Sequence, residues 1–245
     1  MTKLRNAVRR GFRHLPPRVE LLVRVARNKR RLPGFYAAGP ELSALVPAGK
    51  LAIDAGANVG LYTYWIARSA SEVVAFEPQP DLARRVAKSG IHRLTMHNCA
   101  LSDTVGVAEL HVPQSSNGEA SLRKLDVPTD TVQVPLSTID SFELADVGFF
   151  KIDVEGHEES LLRGSEQTLR RSDATVYIEI EERHNPGGLD RIMAWMADLG
   201  YRNVQFRQHG RMHPLSSFDL ERDQLRQSPQ TPGYANNFLF TRQPH

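Results

Sequence analysis

Strands and helices alternate along this 245-residue chain. The alternation predicts an α/β fold built on a parallel, doubly wound sheet. Three observations carry the prediction. Short apolar runs recur, each followed by a stretch of helical length and spacing. Several of these runs end on an acid, as at Asp54, Glu77 and Asp153. The chain finishes on two strand-like runs, YRNVQF and NNFLFT, separated by a polar loop.

Taken in order, the chain opens on a basic arm and linker, residues 1–49, whose PGFYAAGP reads as a loop and ELSALVP as a short helix. The remaining domain, residues 50–245, begins with the strand KLAID (Lys50–Asp54), a glycine turn and a helix through Leu61, Tyr64, Trp65 and Arg68. EVVAFE (Glu72–Glu77) is a buried second strand, and Asp81 is expected to cap the helix DLARRVAKSG, which ends at Gly90. Leu94–Asn98 makes a third strand and GFFKID (Gly148–Asp153) a fourth, followed by one helix bearing Leu161, Leu162 and Leu169. TVYIEIE (Thr175–Glu181) is the fifth strand, and Leu189–Leu199 the helix after it, stopped by Gly200. Residues 105–140 break the rhythm: two extended pieces flank the polar PQSSNGEASL, which reads as an insertion on the substrate side of the sheet.

Composition bounds the function. Hydrophobic residues make up 40% of the chain, an ordinary share for a globular domain, and no apolar run is long enough to span a bilayer. The N-terminus lacks the apolar core of a secretory signal. A single cysteine, Cys99, excludes an internal disulfide and fits a reducing, cytoplasmic setting. The net charge of +3 hides an asymmetry: residues 1–31 carry eleven Lys/Arg against Glu20, net +10, and the rest twenty against twenty-seven acids, net −7. Within the arm, Val19, Leu22, Val23 and Ala26 recur at helical spacing among arginines, the pattern of a helix that lies on an anionic membrane face or docks on the body. Nucleic acid is the weaker expectation, because the arm has few aromatics to stack on bases.

The densest signal is DAGANVG, Asp54–Gly60. In a doubly wound sheet, ligands bind beyond the carboxyl ends of the strands at the switch point. There Gly56 lets the backbone turn, Gly60 permits close approach, and Glu77 ends the second strand, poised to accept hydrogen bonds from a ribose diol. Nicotinamide and S-adenosylmethionine enzymes share these features. The dinucleotide pattern is GxGxxG facing a diphosphate, whereas this turn reads DxGxNxG. A carboxylate and an amide suit the charged tail of a methionyl group better than a diphosphate.

KIDVEGHEE (Lys151–Glu159) is the second signal. Asp153, Glu155, His157 and Glu158 arrive at the same edge, able to face a sulfonium, orient a hydroxyl nucleophile or bind a divalent ion, the last reading not favoured. Glu158 and Glu159 also suit the first turn of a helix. Glu179 and Glu181 share one face of the fifth strand, which requires a solvated cleft or partners. His184, in ERHNPGG, is a candidate base at the rim of the site.

Together these residues resemble the FkbM family of S-adenosylmethionine-dependent methyltransferases. The likeness rests on DAGANVGLYTYWIA, VVAFEPQPDL, NCALSD, GEASL, VPLSTIDSF, FFKIDVEGHEESLLRG and NNFLF, in that order. It implies the class I, Rossmann-like methyltransferase sheet, doubly wound and mainly parallel with an antiparallel C-terminal strand, and methylation of a hydroxyl on a sugar or natural product. An arm with affinity for anionic lipid would favour a glycolipid acceptor. By position, Asp54, Gly56, Asn58 and Gly60 would surround the methionyl moiety, Glu77 the ribose, Asn98, Ala100 and Asp103 the adenine, and Asp153 the reacting methyl, with Thr63 and Pro78 also among the cofactor-binding residues. The resemblance supplies no catalytic base; from the residues themselves, Asp153 or His184, with Glu155 beside them, is expected to take the acceptor's proton. DNA bases are disfavoured as acceptors, because the fourth strand ends in DVEG rather than an Asn/Asp-Pro-Pro-aromatic turn and Cys99 follows Asn98 rather than proline. Two rival readings stand beside this one: a nicotinamide-dependent oxidoreductase, and a non-catalytic cofactor-binding module recruited by its basic arm.

Overall fold

The computed structural model describes residues 14–30, 38–114, 120–124, 126–229, 231 and 233–242. The first thirteen residues of the basic arm, most of the PGFYAAGP loop, and Gly118 and Glu119 of GEASL lie outside them.

Eight strands form the central sheet. They are β1 (Leu51–Ala55), β2 (Glu72–Phe76), β3 (Leu94–His97), β7 (Val147–Ile152), β8 (Thr175–Glu179), β9 (Asn203–Gln208), β10 (Arg211–Pro214) and β11 (Asn237–Thr241). Their order is β10-β9-β11-β8-β7-β1-β2-β3. Strands β3, β2, β1, β7 and β8 run parallel, and β11 enters antiparallel between β8 and β9. The chain leaves β1 toward β2 on one side and reaches β7 on the other, so the switch point lies between the ends of β1 and β7.

Helices cover both faces, which is why β7 is buried along its whole length and reads as an apolar run. Alternation sorts the side chains. Ile53, Phe76, Phe150, Ile152, Val176, Ile178 and Phe240 pack with Leu161, Leu169, Ile192 and Met196 of the helices on one face. Ala52, Phe149, Tyr177 and Leu239 pack with Leu42, Val46 and Ile66 on the other.

Several expectations need correction. Helix α4 (Pro80–Ala87) is preceded by Gln79 as its N-cap residue, with no side-chain cap. Asp81 therefore lies inside the first turn, where it meets Arg84 at 3.1 Å. The helix expected after the fourth strand is two helices, α5 (Glu158–Arg163) and α6 (Glu166–Arg171). They part at Gly164, where an added Cβ would lie 1.9 Å from the Ser102 carbonyl oxygen. Asp140 then caps α6, accepting from the Gln167 and Thr168 backbone N–H groups at 2.9 and 2.8 Å. Strand β10 was not foreseen. It pairs with β9 through a two-residue turn in which His209 and Gly210 both have positive φ, the geometry of a tight hairpin.

The insertion's β5 (Gly106–Pro113) and β6 (Thr129–Ser137) form a separate three-stranded sheet with β4 (Ala100–Leu101), which lies just before the insertion in the chain. One face buries Leu110 and Val134 with Ala100, Ala120 and Leu122. The arm supplies helix α1 (Pro17–Arg30), whose Leu21 and Val25 pack on Trp65 of α3 (Leu61–Ile66). Glu20, buried in that contact, accepts from Arg24 at 2.6 Å and from Arg85. The described part of the arm thus docks on the body. Among the described residues no helix is long and apolar enough to cross a membrane.

Candidate active site

The loop after β1 is tied to the end of β2: the Gly56 and Ala57 N–H groups donate to the Phe76 carbonyl at 3.0 and 2.9 Å. Gly56 has φ +84, and a Cβ there would lie 1.9 Å from the Asp153 carbonyl oxygen, so the end of β7 closes against the glycine. Asn58, at φ 51, donates its N–H to Glu77 Oε2 at 2.8 Å. The Gln79 N–H donates to Glu77 Oε1 at 2.9 Å. Two backbone donors therefore fix the Glu77 carboxylate, and each oxygen keeps a lone pair for a further donor. Burial, with Asp54 and Asp153 nearby, outweighs those bonds and raises Glu77 to about 7.

A cleft open to solvent at its mouth lies beside these groups. Glu77, Asp153 and Glu155 give it three carboxylates, and among the described residues no Lys or Arg lines it. Its apolar end is formed by Phe76, Ala100, Leu101, Leu110 and Leu122, the last two from the insertion.

Of the residues expected around a cofactor, Gly56, Asn58, Glu77, Pro78, Ala100 and Asp153 line this cleft, together with Glu155. Asp54, Gly60, Thr63, Asn98, Asp103 and His184 do not. Asp54 is fully buried on the same face of β1 as Ala52, accepts from Thr63 Oγ1 at 2.5 Å, and leaves Oδ1 without a hydrogen-bond partner among the described residues. Gly60 serves helix packing, since a Cβ there would meet both Val86 methyls at 3.3 Å. Asn98 braces the rim, donating to the Glu77 and Pro78 carbonyls at 2.9 Å. Asp103 lines an adjoining cavity. His184 lies behind Glu155, with its Nδ1 3.4 Å from Glu155 Oε2 and 3.7 Å from Glu181 Oε2.

The acids face a shortage of cations. Lys151, only 1% exposed, sits in the same row of the sheet as Asp54 and Tyr177. It donates to Asp153 Oδ2 at 2.7 Å and lies 4.8 Å from the centre of the Tyr62 ring. Burial alone would push its pKa down, yet Asp153 and Asp54 hold it above the ordinary value. Burial, with Asp153 and Glu181 nearby, pushes Glu155 well up; burial with Asp153 and Glu155 does the same to Glu179. Burial would also raise Glu181, but the bond from Arg183 reverses the sign. Asn236 bridges Glu179 and Glu181, donating at 2.8 and 2.7 Å. Glu158 caps its own loop by accepting from the Gly156 N–H at 2.9 Å. Glu159 pairs with Arg191 at 2.9 Å. Among the described residues no group of three or more His, Cys, Asp or Glu side chains could hold a metal ion.

A second cavity, also open, adjoins the first across His157. Asp103, Arg123, Glu159, Ser160, Arg163 and Asn185 line it. The insertion is pinned there: Ser121 Oγ donates to the Glu155 carbonyl at 2.6 Å and Arg123 to Asn185 Oδ1 at 3.0 Å. His157 Nε2 lies 2.9 Å from Ser102 Oγ.

The family model described as the methyltransferase FkbM domain matches residues 54–203, about three fifths of the chain. The chain belongs to the FkbM methyltransferase family. Methyltransferase sdnD of Sordaria araneosa is 27% identical over 202 residues, covering 64% of this chain and 76% of that one. Methyltransferase 1 of Beauveria bassiana is 27% identical over 147 residues, covering 48% and 59%. A crystal structure of an FkbM methyltransferase from Methylobacillus flagellatus KT superposes with a TM-score of 0.54 at 16% identity, over 84% of this chain but 47% of that one. At that identity the superposition bears on the fold, and it agrees with the class I sheet order described above. This FkbM chain thus spans less than two thirds of two of these relatives. Lys151, Gln79 and the apolar residues of the insertion were not singled out in the sequence. Lys151 had a legible signal, a lone charge inside FFKI, but its burial depends on the helices packed over β7.

Proposed function

We propose that this FkbM protein is an S-adenosylmethionine-dependent methyltransferase that methylates a hydroxyl of a sugar, glycolipid or natural-product acceptor. The observation that carries the reading is the charge of the cleft wall, which among the described residues has three carboxylates and no Lys or Arg. A cationic ligand compensates buried acids, whereas a dinucleotide's diphosphate would meet repulsion. The free lone pairs of Glu77, which does line the cleft, add to the fit.

When bound, S-adenosylmethionine would supply a sulfonium-activated methyl group. Glu77 would accept from the ribose hydroxyls, with Asn58 and Gln79 holding its carboxylate. Phe76, Ala100, Leu101, Leu110 and Leu122 would enclose the adenine, and Asp153 and Glu155 would face the positive charge. Asp153 Oδ2 is committed to Lys151, so Oδ1 is the atom left to accept from an acceptor hydroxyl. His184 reaches the cleft through Glu155 and would receive a proton from that carboxyl, not from the acceptor itself. The second cavity, lined by carboxylates, guanidinium groups, Ser160 and Asn185, suits a polyhydroxylated molecule, because hydroxyls donate to the former and accept from the latter.

The test is a screen of glycans and lipid extracts for labelled methyl from S-adenosylmethionine, with the linkage of the product read by mass spectrometry. A methyl ether is expected. A methylated nitrogen or carbon would refute the hydroxyl assignment. Tight cofactor binding without any transfer would favour the non-catalytic module.

A further inference from the structure

We propose that the outer face of α1 is a docking surface for an anionic lipid bilayer, a claim independent of the chemistry assigned to the cleft. The helix has two apolar faces. One, Leu21 and Val25, is spent on Trp65 and the body. The other stays in water: Val19, Leu22 and Ala26 are exposed and recur along one side of the helix beside the exposed Arg18, with Val19 44% and Leu22 48% exposed. A stripe of this kind gains nothing from solvent and is what an interfacial helix buries between headgroups and acyl chains.

Charge selects the partner. Glu20 is the sole acid of residues 1–31, against eleven Lys/Arg. The structure turns that acid inward, where Arg24 and Arg85 both donate to it. The outward face of α1 therefore presents no carboxylate to an anionic surface. The rest of the chain, net −7, would be repelled by the same surface, so contact is confined to the arm. Nucleic acid matches the charge but not the stripe, which offers aliphatic groups and no ring to stack on a base. At fourteen residues, α1 is about 21 Å long by the helical rise, too short to cross the hydrocarbon core, so it would lie in the plane of the interface.

The experiment is flotation of the full chain with two kinds of vesicle: phosphatidylcholine alone, and equal parts phosphatidylcholine and phosphatidylglycerol. The chain is expected to float with the second and not the first. Val19→Asp/Leu22→Asp should weaken binding by at least about tenfold, because it removes the apolar stripe and adds negative charge. Both residues are exposed, so the variant should keep the wild-type melting temperature. Val107→Asp, on the exposed face of β5, should leave flotation unchanged. Equal flotation with both vesicles, or unchanged binding by the double variant, would overturn the proposal. Tight binding to duplex DNA or RNA without flotation would overturn it in favour of nucleic acid.

Discussion

Lys151→Met replaces a buried ammonium with a side chain of similar length and no charge. The wild-type ammonium donates to Asp153 at 2.7 Å, and it offsets the charges of Asp54 and Glu179. Removing one partner of a buried ion pair strands the other, at a cost of about 3–5 kcal/mol. Here the stranded acids have an escape, which is to take up a proton. Their folded-state pKa values, already raised for Asp54 and Glu179, would rise further. The folded variant then binds more protons than the unfolded chain, so its stability falls as pH rises above the ordinary carboxylate range, by about 1.4 kcal/mol per pH unit for each proton. Urea denaturation of wild type and variant at pH 5.5 and pH 8 measures both quantities. The penalty should be larger at pH 8, and Lys151→Met/Glu179→Gln should recover part of it. A loss under about 1 kcal/mol at both pH values, set against that 3–5 kcal/mol expectation, would refute the placement of Lys151 as the counter-charge of this cluster. So would a loss that does not change with pH.

Other consequences can be measured separately. Glu77→Gln should lower affinity for S-adenosylmethionine by about ten- to a hundredfold in calorimetry, because an amide NH₂ would face one of the two backbone donors that now hold the carboxylate. Without ligand, the wild-type protein should lose stability as pH rises from about 5 to 8. Glu77 and Glu158 are raised to about 7 and Glu155 is also raised, so the folded state holds protons that the unfolded chain has released. Glu155→Gln should flatten that slope in a melting-temperature series. Gly56→Ala should cost about 2–5 kcal/mol in denaturant melts, since it combines a left-handed φ with a clash against the Asp153 carbonyl.

What the sequence made legible was local or periodic. The strand ends carrying Asp54, Glu77 and Asp153 were readable because apolar runs stop there, and the switch-point rule then locates a site. Gly56 was readable as a turn, but its reason was not: it makes room for the β7 backbone, a contact nearly one hundred residues away in sequence. The same limit hid the roles of Gly60 and Thr63, which serve Val86 and Asp54 respectively. His184 was readable as a loop histidine near the rim, whereas its position behind Glu155 depends on how the loop after β8 packs on Gly156. In α1, the stripe marked by spacing was the exposed one, because the docked face is short and includes an acid, Glu20, held there by Arg24 and, from another helix, Arg85. The break at Gly164 was missed because a lone glycine is tolerated in a helix until a neighbouring backbone crosses it.

The central claim is that the cleft at the ends of β1, β2 and β7 accepts a cationic sulfonium nucleoside. Calorimetric titration with S-adenosylmethionine and with oxidised nicotinamide dinucleotides, repeated in buffers of different ionisation enthalpy, tests it most directly. S-adenosylmethionine should bind near neutral pH and release protons as it lowers the raised carboxyls, while the dinucleotides should give no heat. Dinucleotide binding in the absence of S-adenosylmethionine binding would contradict the account.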